Sequence, residues 1–197
     1  MSSRSRAALA AVVFLLAAGA TLTGCAGTNA VTQSVSGSNG YQSGDQALRW
    51  VPAGQRRAVT DVRGTLLDGA SFDLGTWRGK VVVVNFWESD CAPCRSEAKA
   101  LDAVFASYRS HGVELLGVDI CDNRASAQAF VRRFHVGYPS LFDQDGTVAL
   151  RFPGLPPNAT PTTIVLDRSG RLAARHSGEI LYTQLRDLVD RVLAEPA

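Results

Sequence analysis

The sequence predicts an α/β fold in which one central sheet carries helices on both faces. Val81–Trp87 is a continuous apolar run, the pattern of a strand buried on both faces, and Val113–Ile120 is a second run read as a buried strand. Segments with apolar residues at helical spacing follow each run, so the order is β-α-β-α-β-β-α. A short hairpin precedes it, and the whole makes a three-layer arrangement with the first two long strands as parallel neighbours.

The elements follow in order. Val59–Gly64 and Ala70–Leu74 read as two short strands around Leu67-Asp68-Gly69, whose Asp-Gly pair is a hairpin signal. After the strand Val81–Trp87, Leu101, Val104, Phe105 and Tyr108 mark a helix that His111-Gly112 ends. After Val113–Ile120, Asp122-Asn123 opens a second amphipathic helix marked by Ala127, Phe130, Val131 and Phe134. Tyr138–Phe142 is a short strand ending at Asp143-Gln144-Asp145-Gly146. A Pro-rich loop, Pro153 to Pro161, leads to strands at Thr162–Leu166 and Leu172–His176, joined through Asp167-Arg168-Ser169-Gly170. Ile180, Leu181, Leu185, Leu188, Val189, Val192 and Leu193 form one face of a closing helix.

The 197 residues, 46% hydrophobic and 19% charged, suit one globular domain and exclude a disordered chain, a collagen-like repeat or a coiled-coil rod. The chain opens as an export signal: Arg4 and Arg6, then an apolar run from Ala7 to Ala20. That run is short against the roughly 20 residues a bilayer requires. Leu22-Thr23-Gly24-Cys25 is similar to a bacterial lipoprotein signal, which is cut before a cysteine that receives lipid; an uncleaved membrane anchor, or an ordinary signal whose Cys25 is incidental, is the other reading. Residues 1–24 are thus expected to be a signal peptide. Residues 25–57 are expected to be a lipidated Cys25 with a flexible Ser/Gly/Asn-rich linker of reach near 30 Å, by about 5–6 Å × √n, and 58–197 the folded domain. Trp50-Val51-Pro52 is the stretch expected to pack back on it. Lys and Arg number 20 against 18 Asp and Glu, and the balance is even once Arg4 and Arg6 leave with the signal. No basic field remains for nucleic acid, and no run of Lys or Arg suggests anionic lipid.

Cys91-Ala92-Pro93-Cys94 is the sharpest feature, placed directly after a buried strand at the start of a helix. A C-x-x-C in that setting reads as a redox dithiol, because the spacing brings two sulfurs together and the helix N-terminus stabilises a thiolate. Cys91 is then the exposed nucleophile and Cys94 the shielded partner that resolves a mixed disulfide. A zinc site and a permanent structural disulfide are the alternatives. The first lacks paired ligands at zinc spacing among His111, His135, His176 and Cys121, and the second gains little from so short a loop. No metal and no cofactor beyond the redox disulfide is expected.

The block Asn85-Phe86-Trp87-Glu88-Ser89-Asp90-Cys91-Ala92-Pro93-Cys94-Arg95-Ser96-Glu97 resembles the active-site region of the thioredoxin superfamily, in its membrane-tethered ResA- and TlpA-like branch. The likeness runs from about Val59 to Leu193. It implies a thioredoxin-like fold with a mixed sheet, an N-terminal β-hairpin extension and an inserted segment near Phe142 to Phe152. It also implies a cis peptide at Thr160-Pro161, with Pro161 beside the dithiol and residue 160 offering backbone to an extended substrate. Trp87, Ala92, Pro93 and Thr160 become substrate-binding candidates; Cys91, Cys94, Glu97 and Pro161 become catalytic ones. Glu97 matches an acidic residue that the branch places near its thiols, where it is either a proton relay or a solvated first-turn acid. Asn85 stands where cytoplasmic thioredoxins have a buried Asp. Glu88 and Asp90 depart from the pattern and oppose a thiolate if they point inward. Cys121, at the same sheet edge, is either a small core residue or a third redox thiol.

Three functions compete. The first is reduction of disulfides in exported proteins, with an apocytochrome c haem-attachment site as the type of substrate, a membrane thiol reductase as electron donor and a lipid anchor on the extracytoplasmic face of the bacterial membrane. An oxidant that forms disulfides uses the same residues in reverse. A copper chaperone with His176 as third ligand suits cuprous ion, although such relatives separate their cysteines by three residues. Peroxide reduction lacks its Pro and Thr, since Val84 and Glu88 occupy those positions relative to Cys91.

Overall fold

The computed structural model describes residues 48–155 and 159–196. The expected signal at 1–24, the acylation point Cys25, the linker up to residue 47 and residues 156–158 of the Pro-rich loop lie outside the described residues.

One six-stranded sheet organises the fold. Its strands are β1 (Arg49–Trp50), β4 (Val81–Trp87), β5 (Val113–Ile120), β6 (Ser140–Asp143), β7 (Thr162–Leu166) and β8 (Leu172–Ser177), in the spatial order β1-β8-β7-β4-β5-β6. The hairpin β2 (Arg63–Thr65) and β3 (Ser71–Asp73) forms a separate two-stranded sheet. The helices are α1 (Ala92–Tyr108), α2 (Arg124–Phe134) and α3 (Tyr182–Leu193). β4, β5 and β6 run parallel, as strands joined by helical crossovers do, whereas β7, β8 and β1 are antiparallel to their neighbours. The sheet is therefore mixed.

β4 is central and buried along its whole length, and its alternate side chains enter two cores. Val82, Val84 and Phe86 join Leu116, Val118, Ile120 and Ile164 against Val59, Val62, Leu74, Val148 and Phe152. Val81 and Val83 join Leu115 and Val165 against Leu101 and Val104 of α1 and Leu185, Leu188 and Val189 of α3. A third cluster gathers Leu67, Trp87, Cys91, Cys94, Ala98, Ala127 and Phe130, so the buried stripe of α2 closes on the end of the sheet where the dithiol lies.

Local chemistry explains the boundaries. Gly112 takes φ 80° to end the 3-10 turn after α1, a conformation open to glycine. Asn123 caps α2, its side-chain oxygen accepting from Ser126 N–H at 2.9 Å. Asp143 accepts from Val148 and Ala149 N–H, each at 3.0 Å, and so folds the segment after β6 back onto the core. The hairpin strands are shorter and later than the expected Val59–Gly64 and Ala70–Leu74. Val59 and Val62 are buried without joining a strand, because the core takes their side chains while the ladder begins at Arg63. The strand expected from Tyr138 begins at Ser140, since Tyr138 is buried against α1 and α3.

The folded unit also begins ahead of residue 58. Arg49–Trp50 pairs with β8, and Arg56 is buried, bonded to Val51 O, Asp167 and Glu195. The expected linker therefore stops short of residue 48, and Trp50 packs as anticipated, with Arg191 3.7 Å and Arg56 5.3 Å from its ring.

Candidate active site

β4 ends at Trp87, and a short loop later Cys91 caps α1, so the strongest strand in the molecule delivers the dithiol to the sheet's C-terminal edge. Cys91 Sγ accepts from Cys94 N–H at 3.2 Å, and Ala92 and Pro93 fill the first helical positions, where a proline's missing N–H costs nothing. The two sulfurs are joined as a disulfide, with Cα atoms 5.3 Å apart. Both residues are buried in the disulfide form, against the expectation of an exposed Cys91, and they differ only in degree: Cys91 keeps 8% of its surface and Cys94 2%. Ala92 is exposed and Pro93 partly so, and both border the more accessible sulfur. A thiolate at Cys91 sits at the positive end of a 17-residue helix.

Glu97, one helical turn beyond Cys94, is buried rather than solvated. Its Oε1 accepts from Asn85 Nδ2 at 2.7 Å and its Oε2 from Ile180 N–H at 2.9 Å. Asn85 also donates to Thr163 Oγ1 at 3.2 Å, which ties α1, β4 and β7 together. Burial pushes the Glu97 carboxyl up to about 8, against the two hydrogen bonds, which pull it down. The position that expects a buried acid on β4 thus holds an amide, and the acid it contacts comes from α1.

The residues ahead of the dithiol divide. Asp90 is exposed. Glu88 is half-buried and accepts from Thr160 Oγ1 at 2.8 Å; burial raises its carboxyl, and the charges of Asp90 and Asp122 add to the rise. That bond joins the dithiol loop to the loop carrying the Thr160–Pro161 peptide, which is cis. Asp122 accepts from Ser89 N–H at 2.8 Å and fixes the same loop from the β5 side.

Trp87, a substrate-binding candidate whose packing alone would also explain it, lies inside the fold. It is 2% exposed and stacked on Phe130, ring centroids 4.3 Å apart, so its role is packing beneath the dithiol. Cys121 departs from the core reading: it is exposed, with φ 57° in the left-handed region, and burial of the thiol and the nearby carboxylates of Glu88, Asp143 and Asp119 raise its pKa. His176 is buried and its Nε2 lies 3.0 Å from Glu179 O. Among the described residues no group of three His, Cys, Asp or Glu side chains is arranged to hold a metal ion.

Asp119 escaped sequence reasoning. It is fully buried on β5 in register with Trp87, and no donor reaches either carboxylate oxygen. Burial, then Asp122 and Glu88, push its carboxyl up to about 8. The available signal was an acid set between the apolar Val118 and Ile120 of a strand expected to be buried.

Comparison with known proteins agrees with this geometry. The AhpC/TSA family matches residues 56–175. Over 153 residues the chain is 25% identical to the thiol-disulfide oxidoreductase ResA of Bacillus cereus (strain ATCC 10987 / NRS 248), covering 78% of this chain and 84% of that one. It is 32% identical over 108 residues to ResA of Geobacillus kaustophilus, covering 55% and 60%. Among solved structures, a DsbF homologue from Corynebacterium diphtheriae superposes with TM-score 0.71 at 32% identity, covering 77% of this chain and 96% of that one. A secreted thiol-disulfide isomerase from Corynebacterium glutamicum gives 0.72 at 30%, covering 79% and 97%. Fold and dithiol together define a thioredoxin-like thiol-disulfide oxidoreductase. The chain belongs to the AhpC/TSA family.

Proposed function

We propose that this protein is an extracytoplasmic, lipid-anchored reductant of disulfides in exported proteins, with apocytochrome c as the substrate type. The single observation that carries the redox reading is a C-x-x-C disulfide at a helix N-terminus whose two sulfurs differ in access, above a buried carboxyl. In the reduced state the Cys91 thiolate attacks a substrate disulfide, forming a mixed disulfide and releasing one substrate thiolate. Cys94 then attacks Cys91 Sγ, releasing the second thiolate and regenerating the Cys91–Cys94 bond. Two electrons pass to the substrate, and a membrane thiol reductase restores the dithiol.

Glu97 is the group we assign to the proton on Cys94. It lies one turn along the same helix face, and a carboxyl near 8 exchanges protons efficiently at neutral pH. Thr160, ahead of β7, is the residue assigned to pair with an extended substrate, with Pro161, Ala92 and Pro93 around it; the Glu88–Thr160 bond holds its loop against the dithiol loop. Lipid attachment at Cys25 rests on the Leu22–Cys25 motif, and no described helix is long and apolar enough to cross a membrane. The ResA relatives and the secreted structural relative support the extracytoplasmic setting.

The reduction potential decides the direction. Equilibration against thiol redox buffers with a Cys121→Ala control should give a value near or below about −270 mV, as for thioredoxin. A value near −120 mV, that of a strong oxidant, overturns the reductant reading in favour of disulfide formation. Cys94→Ser should also accumulate a mixed disulfide through Cys91, visible as a reductant-sensitive adduct on gels. Cys91→Ser should accumulate none.

A further inference from the structure

Away from the dithiol, the outer edge of the sheet collects three arginines that lie far apart in the chain. We propose that Arg49, Arg57 and Arg175 form a binding site for a phosphate-bearing anion. Arg49 and Arg175 are direct cross-strand partners in the β1–β8 pair, an arrangement that repels unless something negative sits between the heads. Arg57 approaches from the segment whose carbonyl accepts from Leu172 N–H at 3.0 Å. The three border one cavity of about 250 Å³, floored by Val51 and Leu172 and supplied with a neutral amide by Gln55. No carboxylate among the described residues lines it.

Two details separate this cavity from an ordinary solvated basic face. Arg175 Nε is buried and has no hydrogen-bond partner among the described residues, although Nη1 of the same guanidinium donates to Gly154 O. A buried donor without an acceptor is costly, and a bound oxyanion supplies the acceptor. Arg56, one residue before Arg57, shows the contrast: Asp167 and Glu195 both pair with it, so the nearby carboxylates are already engaged. None of the three cavity arginines has an ion-pair partner among the described residues.

Three guanidinium groups around a small pocket suit a tetrahedral oxyanion, whose oxygens accept from several forks at once. The apolar floor adds room for a carbon substituent beside the charge. Two sources share that chemistry, a free phosphate and the headgroup of an anionic phospholipid.

The test is calorimetric titration of the full chain in a maltoside detergent at constant ionic strength. One arm uses inorganic phosphate and the other short-chain phosphatidylglycerol. Arg175→Gln and Arg49→Gln are compared with the parent, and disulfide-reduction rates show that each variant is folded. The expected result is saturable binding in at least one arm, weakened at least tenfold in both variants, with reduction rates unchanged. Binding of inorganic phosphate identifies a soluble ligand, and binding of phosphatidylglycerol alone identifies a headgroup; each supports the site. Absence of binding in both arms, or equal affinity in parent and variants, overturns it.

Discussion

A carboxyl group sealed under a helix ties the stability of this protein to pH. Glu97 titrates near 8 when folded, against 4.5 ordinarily. Between those values the folded protein keeps a proton that the unfolded chain has released. The stabilisation from this group is therefore complete below about pH 4.5, falls as pH rises, and is lost above about pH 8. Asp119, near 8 against 3.8, tilts the profile the same way. Glu97→Gln should flatten the curve. Its amide oxygen can accept from Ile180 N–H while its NH₂ faces Asn85, whose own amide can turn over. Urea unfolding at pH 5 and pH 9 should show the variant gaining on the parent at pH 9. The gain should be on the order of 4 kcal/mol, because each tenfold change in proton affinity is worth about 1.36 kcal/mol. Parallel profiles would contradict this account. The same residue shows how far one side chain can be read in a sequence: its match to an acidic position was legible, but its burial depends on Ile180, 83 positions away.

The elements most legible in the sequence were those whose whole length is buried. β4 is the clearest case and stands where a continuous apolar run placed it, because a strand covered on both faces needs no alternation to declare itself. β1 was harder to see, since two residues carry no period, and Trp50 announced only that something packs there. The spacing between neighbouring strands sets a sharper constraint at Gly117 on β5. A Cβ there would clash with Ser140 Oγ and meet Trp87 Nε1 at 2.8 Å, both of them buried atoms without hydrogen-bond partners among the described residues. Gly117→Ala should push β6 and the Trp87 indole apart, costing about 1–3 kcal/mol as overpacking does. Denaturant unfolding measures the loss, and a changed tryptophan emission would report the indole. An unchanged midpoint would mean that β6 yields freely.

At the scale of the whole molecule, the two ends of the folded chain are fastened together. Arg56 reaches Asp167 at the β7–β8 turn and both carboxylate oxygens of Glu195 beyond α3, with its own side chain 2% exposed. Hydrogen bonding to Glu195 holds the guanidinium in its charged form and draws the Glu195 carboxyl below its usual range. Arg56→Ala should destabilise the domain by about 1.5–3 kcal/mol, the usual worth of hydrogen bonds to charged groups. A thermal midpoint indistinguishable from the parent's would show the clasp to be idle. No local pattern foretells such a contact, because its partners lie 111 and 139 positions away. The arginine pocket hid in the same manner: the sequence shows no basic run, and only the β1–β8 register sets Arg49 beside Arg175.

The contacts of Trp50 with both Arg56 and Arg191 have a mechanical consequence. Any tension transmitted along the chain from upstream of residue 48 loads β1 and these ring contacts first. From there it passes through Arg56 to the C-terminal end of the domain, on the side of the fold remote in sequence from Cys91. Load on β1 is met first by its pairing with β8 and by these ring contacts, with β8 and β7 standing between it and β4, the strand that leads into the dithiol.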